Sequence, residues 1–552
     1  MLFSAAFVIL NFLDAIIGGD VEYDYVTEFG KVRGQVADDG DYLTFLGVPY
    51  AAPPIGQNRF KAPQPLSPWK ETVYHANRTV KCPQKGEGDE DCLIVNIFTP
   101  TKQATELYPV LIYIHGGGFL HGSGPVKGVE PLIKQNIIVV TFNYRLGSLG
   151  FLCLGTVDAP GNAGLKDQTA ALEWVHRNIA NFGGDPHKVT IYGMSAGAAS
   201  AEYHVLLNSN RELFRYAVIE SGSATSMWAF DPFPVDNAIK LAKYLGMHSD
   251  GSVSEVVDFY RSLPAEPLSK ANWDYYQNLT DGSIGIGPCI EKSLEQVQPF
   301  MTRAPSEVLK THEYASRPLL FIFTSLEGLF LRSNQYTDYI KNMDANFADY
   351  LPADLAFDND NIKNDVANNV KQFYFNNNYI SSDSIMEYFY LFGDYMILNG
   401  VFNSVKGHVA NNDNSSIYLM EFAYKGNLGS YNKAYDSLNL SGHGDAIKHT
   451  ILKKPLLDIE DNIAVERMSA LIGNFVKYGN PTPSQSAHIP TIWPPILSEQ
   501  NLTYLHFDKN LSVRYQLDNS LKNRLEFWEQ LYEMYRRTTS FVHSEEDVTS
   551  II

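Results

Sequence analysis

Three residues far apart in the chain could together hydrolyse an ester or an amide: Ser195, Glu327 and His443. A serine hydroxyl is a weak nucleophile at neutral pH. It needs an imidazole to take its proton, a carboxylate to hold that imidazole, and N–H donors for the oxyanion that forms on attack. Ser195 stands in Gly193-Met194-Ser195-Ala196-Gly197, directly behind the apolar run Val189-Thr190-Ile191-Tyr192. If a strand delivers the serine and a helix leaves behind it, the turn is so tight that only tiny neighbours fit. Gly193, Ala196 and Gly197 meet that need. An ordinary small-residue turn is the plainer reading of the motif alone. The helical spacing of residues 198–207, with Tyr203, Leu206 and Leu207 facing inward, favours a nucleophile lifted clear of a sheet.

An acid and a base follow the serine in that order. Glu327 lies just past the apolar run 319–323, at the exit of an expected strand, where open α/β sheets place functional groups. A solvated loop carboxylate is the alternative. His443, between Gly442 and Gly444, sits in a loop well beyond it, with His408, His449 and His488 as rivals. Oxyanion donors are expected from Gly117 and Gly118 in His115-Gly116-Gly117-Gly118-Phe119, together with Ala196 behind the serine. A phosphate-cradling loop is disfavoured, because no lysine follows the glycines in the required pattern.

These side chains need a frame that brings strand ends together. Apolar runs at 110–114, 137–140, 189–192, 216–219, 319–323 and 417–420 predict strands buried on both faces. Amphipathic segments lie between them, the clearest starting at Asp167 with Leu172, Val175 and Ile179 inward. That alternation predicts a mostly parallel sheet flanked by helices; with the tight Gly193 to Gly197 turn carrying a serine at the end of one strand, it predicts the α/β-hydrolase fold. Residues 30–34 and 42–48 predict a small antiparallel hairpin ahead of it. In the Asn-rich stretch 357–384, Ile362, Val366, Val370 and Phe373 recur at helical spacing, which predicts a cap helix. Residues 521–534 predict a final helix docked on the body. No linker divides residues 19–552, so one domain is expected.

Composition narrows the partners. The 552 residues are 45% hydrophobic and 13% aromatic with a formal charge of −19, and no basic block is present. Nucleic acid and anionic membranes are therefore disfavoured. The apolar start, residues 1–13, is too short to span a bilayer and predicts a secretory signal over residues 1–18. Sequons at Asn77, Asn278, Asn414, Asn439, Asn501 and Asn510 agree with a secreted, extracellular protein. Cys82 and Cys92 lie close together in a chain that should be oxidised. Cys153 and Cys289 are expected to be buried thiols, with long-range pairing as the alternative. CxxC metal spacing is absent, and neither metal nor cofactor is expected.

Further motifs run nearly end to end: Gly47-Val48-Pro49-Tyr50-Ala51, Arg59-Phe60, Glu90-Asp91-Cys92-Leu93, Asn143-Tyr144-Arg145, Gly164-Leu165-Lys166-Asp167-Gln168, Phe182-Gly183-Gly184-Asp185-Pro186, Trp493-Pro494 and Phe527-Trp528. In these the chain resembles the type-B carboxylesterase and cholinesterase-like family, most of all secreted insect esterases. The resemblance implies Ser195, Glu327 and His443 as a triad, Ser221 as a serine close behind it, and a disulfide between Cys82 and Cys92. It also implies ion pairs of Arg59 with Glu90 and of Arg145 with Asp167. The histidine segment departs from the family pattern: Leu440 replaces a glycine, and Ala446-Ile447-Lys448-His449 replaces most of an acidic, aromatic run.

Substrate class follows from what is missing. The segment from Cys82 to Cys92 holds no aromatic residue to bind a quaternary amine, and Met194 stands where cholinesterases place Glu and juvenile hormone esterases typically place Gln. The resemblance places the acyl pocket at Gly282 to Gly287, where Ile284 and Ile286, with Trp228 and Phe119, imply a roomy apolar site. The expected activity is hydrolysis of neutral, lipophilic carboxylic esters by water through an acyl-enzyme. A catalytically silent adhesion or binding protein is the alternative, as is an esterase specific for juvenile hormone or odorant esters. The natural ester and the oligomeric state stay open.

Overall fold

Strands with apolar side chains on both faces need cover on both faces, and the centre of this molecule is built that way. A computed structural model describes residues 23–537 apart from 70–72, 102–104, 125–126, 249–250, 332–335, 412–414, 430–437, 439 and 453–457. The described strands are β1 (Tyr23–Thr27), β2 (Gly30–Val36), β3 (Tyr42–Pro49), β4 (Val73–His75), β5 (Ile94–Pro100), β6 (Tyr108–Ile114), β7 (Ile138–Phe142), β8 (Gly184–Met194), β9 (Tyr216–Glu220), β10 (Leu319–Thr324), β11 (Ile417–Phe422), β12 (Tyr504–Phe507) and β13 (Leu511–Arg514). They form one sheet in the order β1-β2-β3-β5-β7-β6-β8-β9-β10-β11-β12-β13, with β4 beside β2. From β7 through β12 every pairing is parallel, and the two ends of the sheet are antiparallel.

Alternation along the central strands feeds two separate cores. Val110, Ile112 and Ile114 of β6, with Leu319, Phe321 and Phe323 of β10, enter the larger one, which covers one face. Leu111, Leu320 and Ile322 enter the other. The larger core is closed by α1 (Ala163–Asn178), α2 (Ala196–Leu206), α3 (Asp360–Phe375), α4 (Asn399–Ala410) and, on the far side of the chain order, α6 (Asn519–Tyr535). Helix α5 (Ile459–Tyr478) closes the second with Met468, Leu471, Ile472 and Phe475. No helix among the described residues is long and apolar enough to cross a membrane.

Strands β1, β4, β12 and β13 lie outside the sequence reading, and three further differences have a physical reason. Helix α2 has no outer side: each of its residues is buried, because it lies against β8 and β9 beneath further helices. Strand β5 was not expected, since Asn96 interrupts its apolar run. That asparagine is buried, accepting from Gly47 N at 2.9 Å and donating to Thr141 Oγ1 at 3.0 Å, so it ties β3 to β7 instead of ending the strand.

The third difference corrects the expected buried thiols: Cys153 and Cys289 form a disulfide across 136 residues of sequence. Asn162 brings the second cysteine in, donating to Cys289 O at 2.8 Å and accepting from Cys289 N at 2.9 Å. Gly161 leaves room, since a Cβ there would lie 2.7 Å from both sulfurs. Cys82 and Cys92 are also disulfide-bonded. The Arg59 and Glu90 pair stands at 2.5 Å and the Arg145 and Asp167 pair at 2.6 Å. Along α3, Val366 and Val370 are buried while Phe373 stacks at the surface on Phe527, with ring centroids 4.0 Å apart.

Candidate active site

Ser195 sits between the end of β8 and the start of α2 with φ 59° and ψ −121°. A positive φ of this kind costs a non-glycine residue about 1–3 kcal/mol and persists only where the surroundings enforce it. They do so here. Ser195 N donates to Glu220 O at 2.8 Å, extending the β8 and β9 pairing, and Ala199 N donates to Ser195 O at 3.0 Å. A Cβ on Gly193 would lie 1.9 Å from Gly197 O, and one on Gly197 would lie 2.1 Å from Ile114 O. The small residues of the motif are therefore required by backbone contact.

Strand β6 ends at Ile114 and the glycine loop starts beside the serine. Gly117 has φ 117° and Gly118 has φ 61°. A Cβ on Gly117 would lie 1.9 Å from His121 O, whereas Gly118 opens on space, its nearest neighbour being Ile284 Cγ2 at 4.0 Å. The loop is pinned at both ends. His115 stacks on Tyr144 at 4.3 Å, and Gln84 exchanges two 2.9 Å hydrogen bonds with the backbone of Gly122. Ala196 opens α2, where backbone N–H groups have no intrahelical acceptor and the helix dipole favours negative charge.

Glu327 lies past the C-terminal end of β10, 1% exposed. Its Oε1 accepts from Ser221 Oγ at 2.8 Å and Thr324 N at 2.7 Å, and its Oε2 meets His443 Nδ1 at 2.7 Å. His443 is thus oriented by a carboxylate that is itself fixed by two donors. Its loop is braced too. Leu326 N donates to Ser441 O at 3.0 Å, Gly442 N to Asp445 Oδ2 at 2.9 Å, and Ile447 N to Glu220 Oε1 at 3.1 Å. Gly444 packs on Met194, where a Cβ would approach the methionine methyl to 2.0 Å. Asp445 and Met194 do the bracing in a segment that departs from the family pattern.

Ser195, His443, Gly117 and Gly118 line one cavity of about 910 Å³. Trp228 and Ile284 line it as well. Phe119 and Ile286 do not: Phe119 is fully buried against Phe151 and Trp228, and Ile286 is buried in the same core. Of the rival histidines, His408 is buried on Glu202 and Tyr314, His449 is buried on Asp445 O, and His488 is an exposed neighbour of Glu466. None of the three lines the cavity.

Two sets of wall residues escaped the sequence reading. Phe330, Tyr388, Phe392 and Met396 supply apolar wall on the cap side. The aromatic run 388–392 is the only signal that could have pointed to them. At the mouth, Lys85 stands 3.7 Å over the Trp273 ring and His121 meets the same ring at 5.2 Å. Burial pushes the His121 imidazole down to about 4, so it is neutral at pH 7. Among the described residues no group of acids, histidines or cysteines is placed to hold a metal.

A model described as the carboxylesterase family matches residues 23–528. Esterase FE4 of Myzus persicae is 33% identical over 84% of this chain and 86% of its own length. Juvenile hormone esterase of Tribolium castaneum is 30% identical over 91% and 92% respectively. A crystal structure of juvenile hormone esterase from Manduca sexta, with OTFP covalently attached, superposes with a TM-score of 0.80 at 27% identity. It covers 93% of this chain and all of its own.

Proposed function

Because the chain belongs to the carboxylesterase family and has the α/β-hydrolase fold, we propose that Ser195, His443 and Glu327 are the triad through which it acts as a serine carboxylesterase. In this reading His443 takes the Ser195 proton as the hydroxyl attacks the ester carbonyl, and Glu327 stabilises the resulting imidazolium. Gly117, Gly118 and Ala196 N–H groups bind the oxyanion, each such donor contributing about 10²- to 10³-fold in rate. The tetrahedral intermediate collapses as His443 protonates the departing alcohol. Water, deprotonated by the same imidazole, then cleaves the acyl-enzyme and releases the acid.

The observation that carries the reading is the 2.7 Å contact of His443 Nδ1 with a buried, doubly hydrogen-bonded Glu327, on the cavity that Ser195 also lines. Trp228, Ile284 and the cap-side aromatics support neutral, lipophilic esters as substrates, and the loop from Cys82 to Cys92 offers no aromatic ring to a quaternary amine.

Secretion is part of the proposal. Two disulfides and the exposed sequons Asn77, Asn278, Asn501 and Asn510 support it. Asn414, Asn439 and the expected signal over residues 1–18 lie outside the described residues. Residues 19–552 are proposed to form the single mature domain.

The test compares p-nitrophenyl acetate, butyrate and hexanoate with acetyl- and butyrylthiocholine. Turnover of the uncharged esters well above the thiocholines is expected. Preference for the thiocholines would contradict the proposed substrate class, and turnover of none by folded protein would leave only a binding role.

A further inference from the structure

One carboxylate touches both halves of this machinery without belonging to the triad. Glu220 ends β9 and is fully buried. Its main-chain oxygen accepts from Ser195 N at 2.8 Å. Its side chain accepts from Ile447 N, four residues past His443, at 3.1 Å and from the Tyr192 hydroxyl of β8 at 2.5 Å. We propose that Glu220 is a positioning residue that holds the loop carrying His443 in place against the turn carrying Ser195, and that the hold tightens when its carboxyl ionises. This rests on the reading of Ser195 and His443 as nucleophile and base.

The argument is geometric. Glu220 joins the serine turn through its main chain and the histidine loop through its side chain, with a Tyr192 to Thr450 hydrogen bond and the packing of Met194 against Gly444 beside it. A neutral amide would span the same gap without the cost of burying a charge. An ionised acceptor makes each bond roughly twice as strong. The groups facing the carboxyl are Tyr192 of β8 and Tyr113 of β6, Glu327 past β10, and Lys448 in the histidine loop. Burial dominates, with Glu327 adding to it against Tyr192, Ile447 and Lys448, and the carboxyl is pushed up to about 7. Its titration therefore falls within the pH range over which the rate is followed.

The experiment uses the full secreted chain in three forms: wild type, Glu220→Gln and Tyr192→Phe. Each is read by kcat and KM for p-nitrophenyl butyrate from pH 5 to 9, by hydrogen exchange over the segment 443–451, and by thermal unfolding. Glu220→Gln is expected to lower kcat about 10- to 100-fold, as displacement of a reacting group by up to an ångström does. KM should stay within about 2-fold and the unfolding midpoint should not fall, with faster exchange confined to 443–451. The acid side of its rate profile should be less steep than wild type. Tyr192→Phe removes a donor to the ionised carboxyl, so its acid limb should move to higher pH. Wild-type rate and profile in Glu220→Gln would overturn the proposal. So would a loss of kcat that accompanies a lower unfolding midpoint and faster exchange across the sheet. Absence of turnover in wild type would instead strike the esterase reading itself.

Discussion

Nδ1 of His443 lies 2.7 Å from Oε2 of Glu327, and the other oxygen of that carboxylate accepts from the Ser221 hydroxyl at 2.8 Å and the Thr324 amide at 2.7 Å. Such a carboxylate fixes which imidazole nitrogen keeps its proton. Glu327→Gln presents an amide to the same ring and is expected to lower kcat by about 10³- to 10⁴-fold with little change in KM. Ser221→Ala removes one hydrogen bond to a charged group, about 1.5–3 kcal/mol, and should lower kcat by roughly 10- to 100-fold. Steady-state kinetics on p-nitrophenyl butyrate reads both.

The two glycines of the loop differ in what a methyl group would meet. At Gly117 it would lie 1.9 Å from His121 O, so Gly117→Ala must displace the loop, and a kcat loss of about 10²- to 10³-fold is expected. At Gly118 the nearest atom is 4.0 Å away, so Gly118→Ala meets only the penalty of φ 61°, roughly 1–2 kcal/mol. It should retain more activity than Gly117→Ala and crowd bulky acyl chains at Ile284. A series of acyl chain lengths separates the two.

The disulfide between Cys153 and Cys289 closes 136 residues of sequence. In the chain-entropy account such a loop is worth about 5 kcal/mol. The double variant Cys153→Ser, Cys289→Ser should unfold at distinctly lower denaturant, whereas the equivalent pair at Cys82 and Cys92, separated by 10, should lose about 2.5–3 kcal/mol. Guanidinium unfolding of the two variants checks the order.

Asp231 is buried with one carboxyl oxygen unpartnered, and burial pushes it up to about 7. A carboxyl whose folded pKa is raised binds its proton more tightly folded than unfolded, so its contribution to stability is intact below the ordinary carboxylate range and declines as pH rises toward 7. Asp231→Asn should therefore raise stability above pH 7 relative to wild type, and leave it unchanged or lower near pH 4. Thermal unfolding across pH 4 to 8 tests the sign.

Much of this was legible in the chain because the chemistry demands special backbone. The strained turn at Ser195 admits only small residues at Gly193 and Gly197, and such constraints are visible as letters. The parallel strands β6 to β11 could be read from unbroken apolar runs, but β12, with His506 in its four residues, could not. Strand β5 could not, because Asn96 looks polar until Gly47 and Thr141 stand beside it. The disulfide between Cys153 and Cys289 depends on Asn162 and Gly161, a contact between distant segments that no local pattern encodes. The cavity walls at Phe330 and Tyr388 are hidden for the same reason: aromatic residues of a cap read alike whether they face a core or a pocket. Phe119 and Ile286, both apolar and both expected at the pocket, turned inward to the core.

The central claim is that Ser195 is a nucleophile activated by His443. A fluorophosphonate probe carrying a biotin tag, reacted with the full chain and with its His443→Ala variant, tests it most directly when the adduct is mapped by peptide mass spectrometry. The account predicts one adduct per chain, on Ser195, with labelling of the variant slower by several orders of magnitude. An adduct on another residue, no adduct in folded protein, or equal labelling of the two forms would contradict it.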